Sequence, residues 1–161
     1  MDAEGAAPLP LEVVTVSSRA RLVVPIGVDD LYSWLHDVGN WPQFLEGLEA
    51  VEPLGYHRYR WQVTFGRRPG TCDVVVSVDP QEHRFSWRHL AGTPFDGTIR
   101  LTPVTEDRTQ VDLVVDVKPL DLLDGVVDLG GRDDWMAERD LQRLRDVVAA
   151  RGALRRDGEA V

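Results

Sequence analysis

The sequence predicts an α+β domain in which a curved antiparallel sheet of about seven strands wraps around a long C-terminal helix. Two observations lead to this fold class. A β-branched segment at 13–24 is separated by two short amphipathic segments from six further strand-like segments, and the closing segment 134–151 contains no Gly or Pro. Consecutive short strands joined by turn residues predict an antiparallel sheet, and an uninterrupted apolar stripe predicts a helix packed against it.

The first strand is predicted at 13–24, because its polar side chains recur with a period of two. A short helix follows, in which Leu31, Trp34, Leu35 and Val38 lie on one face. Asp29 precedes them in the first turn, where the helix dipole favours negative charge.

A second short helix is predicted directly after the first. Gly39 is expected to end the first helix and Asn40 to cap the second, with Pro42 tolerated in its first turn. Trp41 and Phe44 would pack these helices against the rim of the sheet or frame the entrance of a cavity.

The remaining strands follow one another with turn signals such as Pro69-Gly70 and Asp79-Pro80 between them. We predict them at 48–54, 57–65, 71–79, 83–89, 96–102 and 108–118. The segment 119–131 then mixes leucines with aspartates and glycines, and either a covering loop or a broken helical turn fits it.

The terminal helix is predicted from about Asp134 to Arg151, with Gly152 as its end. One face of it is apolar and should be buried in the concavity of the sheet: Met136, Ala137, Leu141, Leu144, Val147 and Val148. We expect one folded domain over 12–152, with flexible tails at 1–11 and 153–161.

Composition narrows the classes of partner. The formal net charge of −9 disfavours nucleic acid and anionic membranes, which require clustered basic residues. No segment is apolar for long enough to insert into a membrane. Cys72 is the single cysteine, so no intrachain disulfide or zinc cluster is expected, and a cytoplasmic location fits. We expect no cofactor; the oligomeric state stays open.

Five short segments carry a resemblance to a known family: 37–44 (DVGNWPQF), 85–87 (FSW), 97–103 (GTIRLTP), 108–111 (RTQV) and 138–144 (ERDLQRL). In this order they resemble the SRPBCC or START-like (Bet v 1-like) superfamily, in its polyketide cyclase/dehydrase and coenzyme-Q-binding branch. The resemblance implies a helix-grip fold with a deep cavity between the sheet and the terminal helix, used for lipids, quinones, steroids or polyketides. It implies no particular reaction.

Strand alternation predicts which side chains face that cavity. The predicted ligand-binding residues are apolar or aromatic: Trp61, Trp87, Phe65, Phe85, Tyr59 and Leu144. Large rigid rings suit a flat or polycyclic ligand, although the same rings could simply fill the core. The arginines of these strands fall out of phase with the apolar rows and are expected on the outer face, paired across strands.

Three residues are candidates for proton transfer. His89 is in phase with an inward row and could be a general acid or base, or only a polar strand end. Asp140 falls inside the apolar arc of the terminal helix, where it would either pair with Arg143 or act as a cavity acid. Tyr59 is the third candidate.

The sequence therefore leaves three functions open. The first is a binding or carrier protein for a hydrophobic small molecule. The second is a polyketide-type aromatase/cyclase or dehydratase that needs no cofactor and acts through positioning and proton transfer. The third is a module that binds a protein partner through its sheet face or through the segment 119–131.

Overall fold

The computed structural model describes residues 16–65, 68–117 and 133–159. Its elements are β1 (Val16–Val24), α1 (Val28–His36), the 3-10 helix η1 (Val38–Gln43), β2 (Leu48–Gly55), β3 (Arg58–Phe65), β4 (Arg68–Asp79), β5 (Arg84–Gly92), β6 (Phe95–Thr105), β7 (Arg108–Val117) and α2 (Asp133–Glu159). The segment 119–131 and the N-terminal tail, both subjects of prediction, lie outside the described residues.

The seven strands form one antiparallel sheet in the order β1-β7-β6-β5-β4-β3-β2. Strands β2 to β7 are consecutive hairpins, while β1 pairs with β7, so β1 and β2 form the two edges. The predicted α+β helix-grip architecture, with short helices between the first two strands and a long helix at the end, is confirmed.

The register brings opposite charges together on the outer face. Arg60 is directly opposite Asp73, with its Nε 2.9 Å from a carboxylate oxygen, and Arg21 lies 2.6 Å from Asp112 in the same way. The predicted cross-strand pairing of the arginines is confirmed at these positions, and it leaves the inner face to apolar side chains.

The predicted boundary between the two short helices was wrong. Asp37, not Asn40, caps η1, because its carboxylate accepts a hydrogen bond from the backbone N–H of Gly39 at 3.0 Å. Gly39 is therefore inside the helix. The Asn40 side chain instead donates to the backbone oxygen of Trp34 at 2.9 Å, which satisfies a carbonyl near the end of α1.

Helix α2 packs mainly on β1 and also contacts β7 and η1. The buried hydroxyl of Ser18 on β1 accepts a hydrogen bond from the Ala137 N–H at 2.8 Å, which fixes one helix turn to the sheet edge. The predicted end at Gly152 was wrong: the helix continues to Glu159. A glycine inside a helix costs only about 1 kcal/mol, and the residues after it are mostly good helix formers.

The apolar face of α2 is buried as predicted at Ala137, Leu141, Leu144 and Val148. Together with the inner rows of the strands it forms one continuous core. No helix in the described ranges is long and apolar enough to cross a membrane.

Candidate functional site

Four aromatic rings on the inner side of the sheet form the centre of the candidate site, which we call the four-ring cluster: Trp41, Trp61, Trp87 and Phe95. The Trp61 and Trp87 centroids are 5.7 Å apart, and Phe95 lies 5.7 Å from the first and 5.5 Å from the second. Trp41 covers both indoles at 5.9 and 5.5 Å. All four side chains are buried.

Three strands and η1 place these rings. Trp61, Trp87 and Phe95 occupy inward positions of β3, β5 and β6. Gly97, opposite Trp87 in the register, makes room for the indole, since a Cβ at this position would overlap the six-membered ring of Trp87. The Trp41 ring is held by α1, because its Nε1 donates a hydrogen bond to the backbone oxygen of Leu35 at 2.8 Å.

Two predicted residues extend the cluster at its margins. Phe85 lies 6.0 Å from Trp41, and Phe65 lies 4.9 Å from Phe95. Phe65 also lies against the backbone of Gly47, where an added Cβ would overlap its ring. The loop before β2 is thereby fitted closely to the aromatic surface.

Two indole N–H groups of the cluster have no acceptor among the described residues. Within the part of the chain that the structure describes, Trp61 Nε1 and Trp87 Nε1 are buried without a hydrogen-bond partner, and so is Trp34 Nε1. A buried donor left unpaired costs about 1–3 kcal/mol. The cluster is therefore apolar in its rings but retains two unused donors.

Asp140 is on α2, where this helix contacts the loop before β2. It is 3% exposed, and its carboxylate accepts a hydrogen bond from the backbone N–H of Glu46 at 3.1 Å. Burial raises its pKa to about 7, against the lowering effect of the Glu46 N–H and of the nearby Arg143 and Arg139. The predicted position in the apolar arc is confirmed, and its hydrogen-bonded partner is a backbone group of a distant loop.

His89 is half-buried on β5, and its ring Nδ1 lies 2.7 Å from a carboxylate oxygen of Asp96. Asp96 alternates on β6 with the buried Phe95 and Gly97, so its carboxylate belongs to the outer row. Strand β5 has a β-bulge directly after His89: His89 is opposite Val74 and Ala91 is opposite Asp73, so Leu90 is the extra residue. The structure therefore brings the His89 ring to Asp96, and no described ring contact joins it to the four-ring cluster.

The other two predicted residues occupy different surroundings. Tyr59 is half-buried near the start of β3, opposite Pro53 and Val74, two residues before Trp61. Leu144 is fully buried on α2 and is part of the same core.

The described residues also line two depressions on the surface, and neither is the deep cavity that was predicted between the sheet and the terminal helix. One of about 580 Å³ lies between the start of α1 and the turn after β6. The other, of about 290 Å³, lies over β4 to β7 and is bordered by Asp96, Asp116 and Trp87. Within the described ranges no three His, Cys, Asp or Glu side chains are grouped to hold a metal ion.

Sequence reasoning missed two members of the cluster. Phe95 was overlooked because the strand was predicted to start at 96, although Phe95, Gly97, Ile99 and Leu101 alternate as one inward row. Trp41 was assigned to the rim, because no strand periodicity applies to a short helix whose direction is set by tertiary packing.

The fold is similar to several solved structures. A protein from Thermus thermophilus superimposes with a TM-score of 0.68 at 20% identity, covering 83% of this chain and 97% of that one. A START superfamily protein from Mycobacterium smegmatis gives 0.65 at 16%, covering 84% and 95%. An aromatase/cyclase from Streptomyces sp. R1128 gives 0.56 at 19%, covering 87% and 88%.

At these identities the likeness concerns the fold alone. A search of curated protein sequences found no match. A family profile, however, matches residues 15–150, nearly the whole chain and every element of the candidate site. The resemblance carried by the short sequence segments is thereby confirmed, and the chain belongs to the polyketide cyclase / dehydrase and lipid transport family.

Proposed function

We propose that this protein binds a hydrophobic small molecule against the four-ring cluster, on the inner side of the sheet. The observation that carries the proposal is the cluster itself, in which four buried rings from β3, β5, β6 and η1 contact one another. Membership of a family described by cyclisation, dehydration and lipid transport supports an apolar ligand.

Physical chemistry favours the four-ring cluster over the two depressions. Its rings are at most 2% exposed, so a ligand reaches them only when the packing around the cluster opens. Aromatic rings offer large contact areas at little entropic cost, and most ligand sites are lined by apolar side chains with few polar groups. Charged and hydroxyl-bearing side chains make up half of the residues around the larger depression and most of those around the smaller one. A hydrophobic molecule would gain little burial there.

Binding can be tested with Nile red, a neutral dye whose fluorescence increases in apolar surroundings. We expect saturable binding to the wild type and about tenfold weaker binding to Trp87→Leu, which removes about 50 Å² of contact. Tyr56→Ala is the matched control, since Tyr56 is an aromatic residue 94% exposed on a hairpin. Circular dichroism checks that both variants fold. Equal dye affinity in all three proteins would contradict the proposal.

A second candidate is a cyclase or dehydratase, and Asp140 is the observation that favours it. A buried carboxyl with a pKa of about 7 can both give and take a proton at neutral pH. The loop that contains its hydrogen-bond partner Glu46 continues into Gly47, which lies against Phe65 at the margin of the cluster. His89 and Tyr59 stay as further candidates for proton transfer.

The enzyme candidate is tested by turnover of a poly-β-ketone substrate analogue. If Asp140 transfers the proton, Asp140→Asn lowers kcat by at least about a hundredfold and leaves substrate affinity unchanged. His89→Ala and Tyr59→Phe are measured in parallel. Unchanged rates in all three variants, or no turnover by the wild type, would contradict the enzyme candidate, and only the binding function would remain.

We place this function in the cytoplasm, without nucleic acid as a partner. Cys72, the single cysteine, is a buried free thiol, and the net charge of −9 opposes binding to polyanions. Fractionation of the native cells tests the location.

A further inference from the structure

The two unused donors of the four-ring cluster carry information about the ligand. Trp61 is 0% and Trp87 2% exposed, and neither indole N–H has an acceptor among the described residues. Trp41, in the same cluster, does have one, the backbone oxygen of Leu35. Buried donors in folded proteins are nearly always paired, so two neighbouring exceptions call for a partner beyond the described residues, and a bound ligand is one that would serve both.

The side chains described around these two indoles are mainly aromatic rings, which offer no oxygen or nitrogen acceptor. Trp61 and Trp87 contact each other, Trp41 and Phe95. Cys72, opposite Trp61 in the register, adds only a buried thiol. A ligand oxygen with free lone pairs would complement this set, whereas a hydroxyl that must donate would find no good acceptor.

The buried polar side chains restrict the chemical class of the ligand further. The buried polar side chains of the described ranges are Ser18, Thr109 and Asp140, and no buried Lys or Arg is among them. Each of the three is already bonded to a backbone group: Ala137 N, Ile26 O and Glu46 N. A ligand carboxylate or phosphate would have no buried cation to pair with, so burial would be unfavourable.

We propose that Trp61 and Trp87 are the polar anchor of the site, and that their indole N–H groups donate to a carbonyl or ether oxygen of a neutral, flat, hydrophobic ligand. The inference rests on the proposed binding function. It adds that the ligand carries an acceptor, is uncharged, and is oriented by these two donors.

The test uses four bicyclic probes of similar shape: tetralin, 1-tetralone, 1-tetralol and tetralin-1-carboxylate. Their affinities are measured by displacement of Nile red from the wild type and from Trp61→Phe and Trp87→Phe, which keep a ring and remove the N–H. Trp34→Phe is the matched control, because it also removes a buried indole N–H without a described acceptor, while the ring contact described for Trp34 is with Phe44, outside the four-ring cluster.

We expect each cluster variant to weaken the binding of 1-tetralone about fivefold more than the binding of tetralin. This factor corresponds to the loss of one neutral hydrogen bond. Trp34→Phe should leave the ratio of 1-tetralone affinity to tetralin affinity as it is in the wild type. The carboxylate should bind the wild type at least about tenfold more weakly than the ketone, and 1-tetralol should respond less to the variants than 1-tetralone does.

Two results would overturn the inference and leave the binding function intact. One is an equal loss for tetralin and 1-tetralone in every variant, which is expected if the N–H groups face neighbouring rings or water. The other is carboxylate binding as tight as ketone binding. If none of the probes displaces Nile red, or the dye itself does not bind, the proposed function fails as well.

A second measurement needs no variant and covers the case in which a phenylalanine variant does not fold. In ¹H–¹⁵N spectra of the wild type, 1-tetralone should move the Trp61 and Trp87 indole N–H signals downfield, while tetralin should not. Identical shifts with both probes would overturn the hydrogen bond.

Discussion

Replacing Asp140 by asparagine gives the sharpest prediction about stability. The folded state holds this carboxyl in a buried position, which raises its pKa from 3.8 to about 7. In the unfolded chain the group ionises near its ordinary pKa. Between these two pKa values the folded state therefore binds a proton that the unfolded state has released, and raising the pH favours unfolding.

The magnitude follows from this difference. The contribution of Asp140 to stability is complete below about pH 4, decreases as the pH rises towards 7, and levels off above it. Between pH 5 and pH 8 the loss is about 3 kcal/mol. The amide of the Asp140→Asn variant does not titrate but keeps an oxygen that can accept from the Glu46 N–H. The variant should therefore gain about 3 kcal/mol on the wild type across this range.

Urea unfolding of both proteins at a series of pH values measures the difference, in which the other carboxylates cancel. Asp73→Asn is the control of opposite sign: the Asp73 pKa is lowered by its hydrogen bond to Arg60, so this variant should lose stability relative to the wild type as the pH rises through the acid range. A stability difference between Asp140→Asn and the wild type that stays constant from pH 5 to pH 8 would refute the buried, desolvated carboxyl.

Three further predictions concern packing and reactivity. Gly97→Ala should destabilise the protein by about 1–3 kcal/mol in urea unfolding and change its tryptophan emission, because the new Cβ would overlap the Trp87 ring; an unchanged midpoint would contradict the close approach. Ser18→Ala should cost about 1 kcal/mol, since the Ala137 N–H loses its buried acceptor; unaltered thermal unfolding would count against that bond. Burial raises the pKa of the Cys72 thiol to about 12, so a disulfide reagent at pH 8 should label it only after unfolding; rapid labelling of the folded protein would show that the thiol is accessible.

The strands were predictable because alternation is a local property. The inward row of β3 containing Trp61 and Phe65, and that of β5 containing Phe85 and Trp87, follow directly from the period of two. The apolar arc of α2 follows from helical spacing in the same way. Residues on these rows can therefore be identified from the sequence.

The partners of these residues were not predictable, because long-range contacts leave no local pattern. Asp140 was placed correctly on its helix, but its partner is the backbone N–H of Glu46, 94 positions earlier in the chain. His89 was assigned by strand phase, but its ring lies against Asp96, at a bulge in its own strand. Trp41 belongs to the cluster through the tertiary position of η1.

The most direct test of the central claim is to identify what the protein carries. Protein purified from its native cells is denatured, and the released small molecules are analysed by mass spectrometry, beside the Trp87→Leu variant prepared in the same way. We expect a neutral, apolar compound with at least one carbonyl or ether oxygen, released by the wild type and strongly reduced in the variant. Release of the same compounds in equal amounts by both proteins, or of charged compounds only, would contradict a binding site at the four-ring cluster.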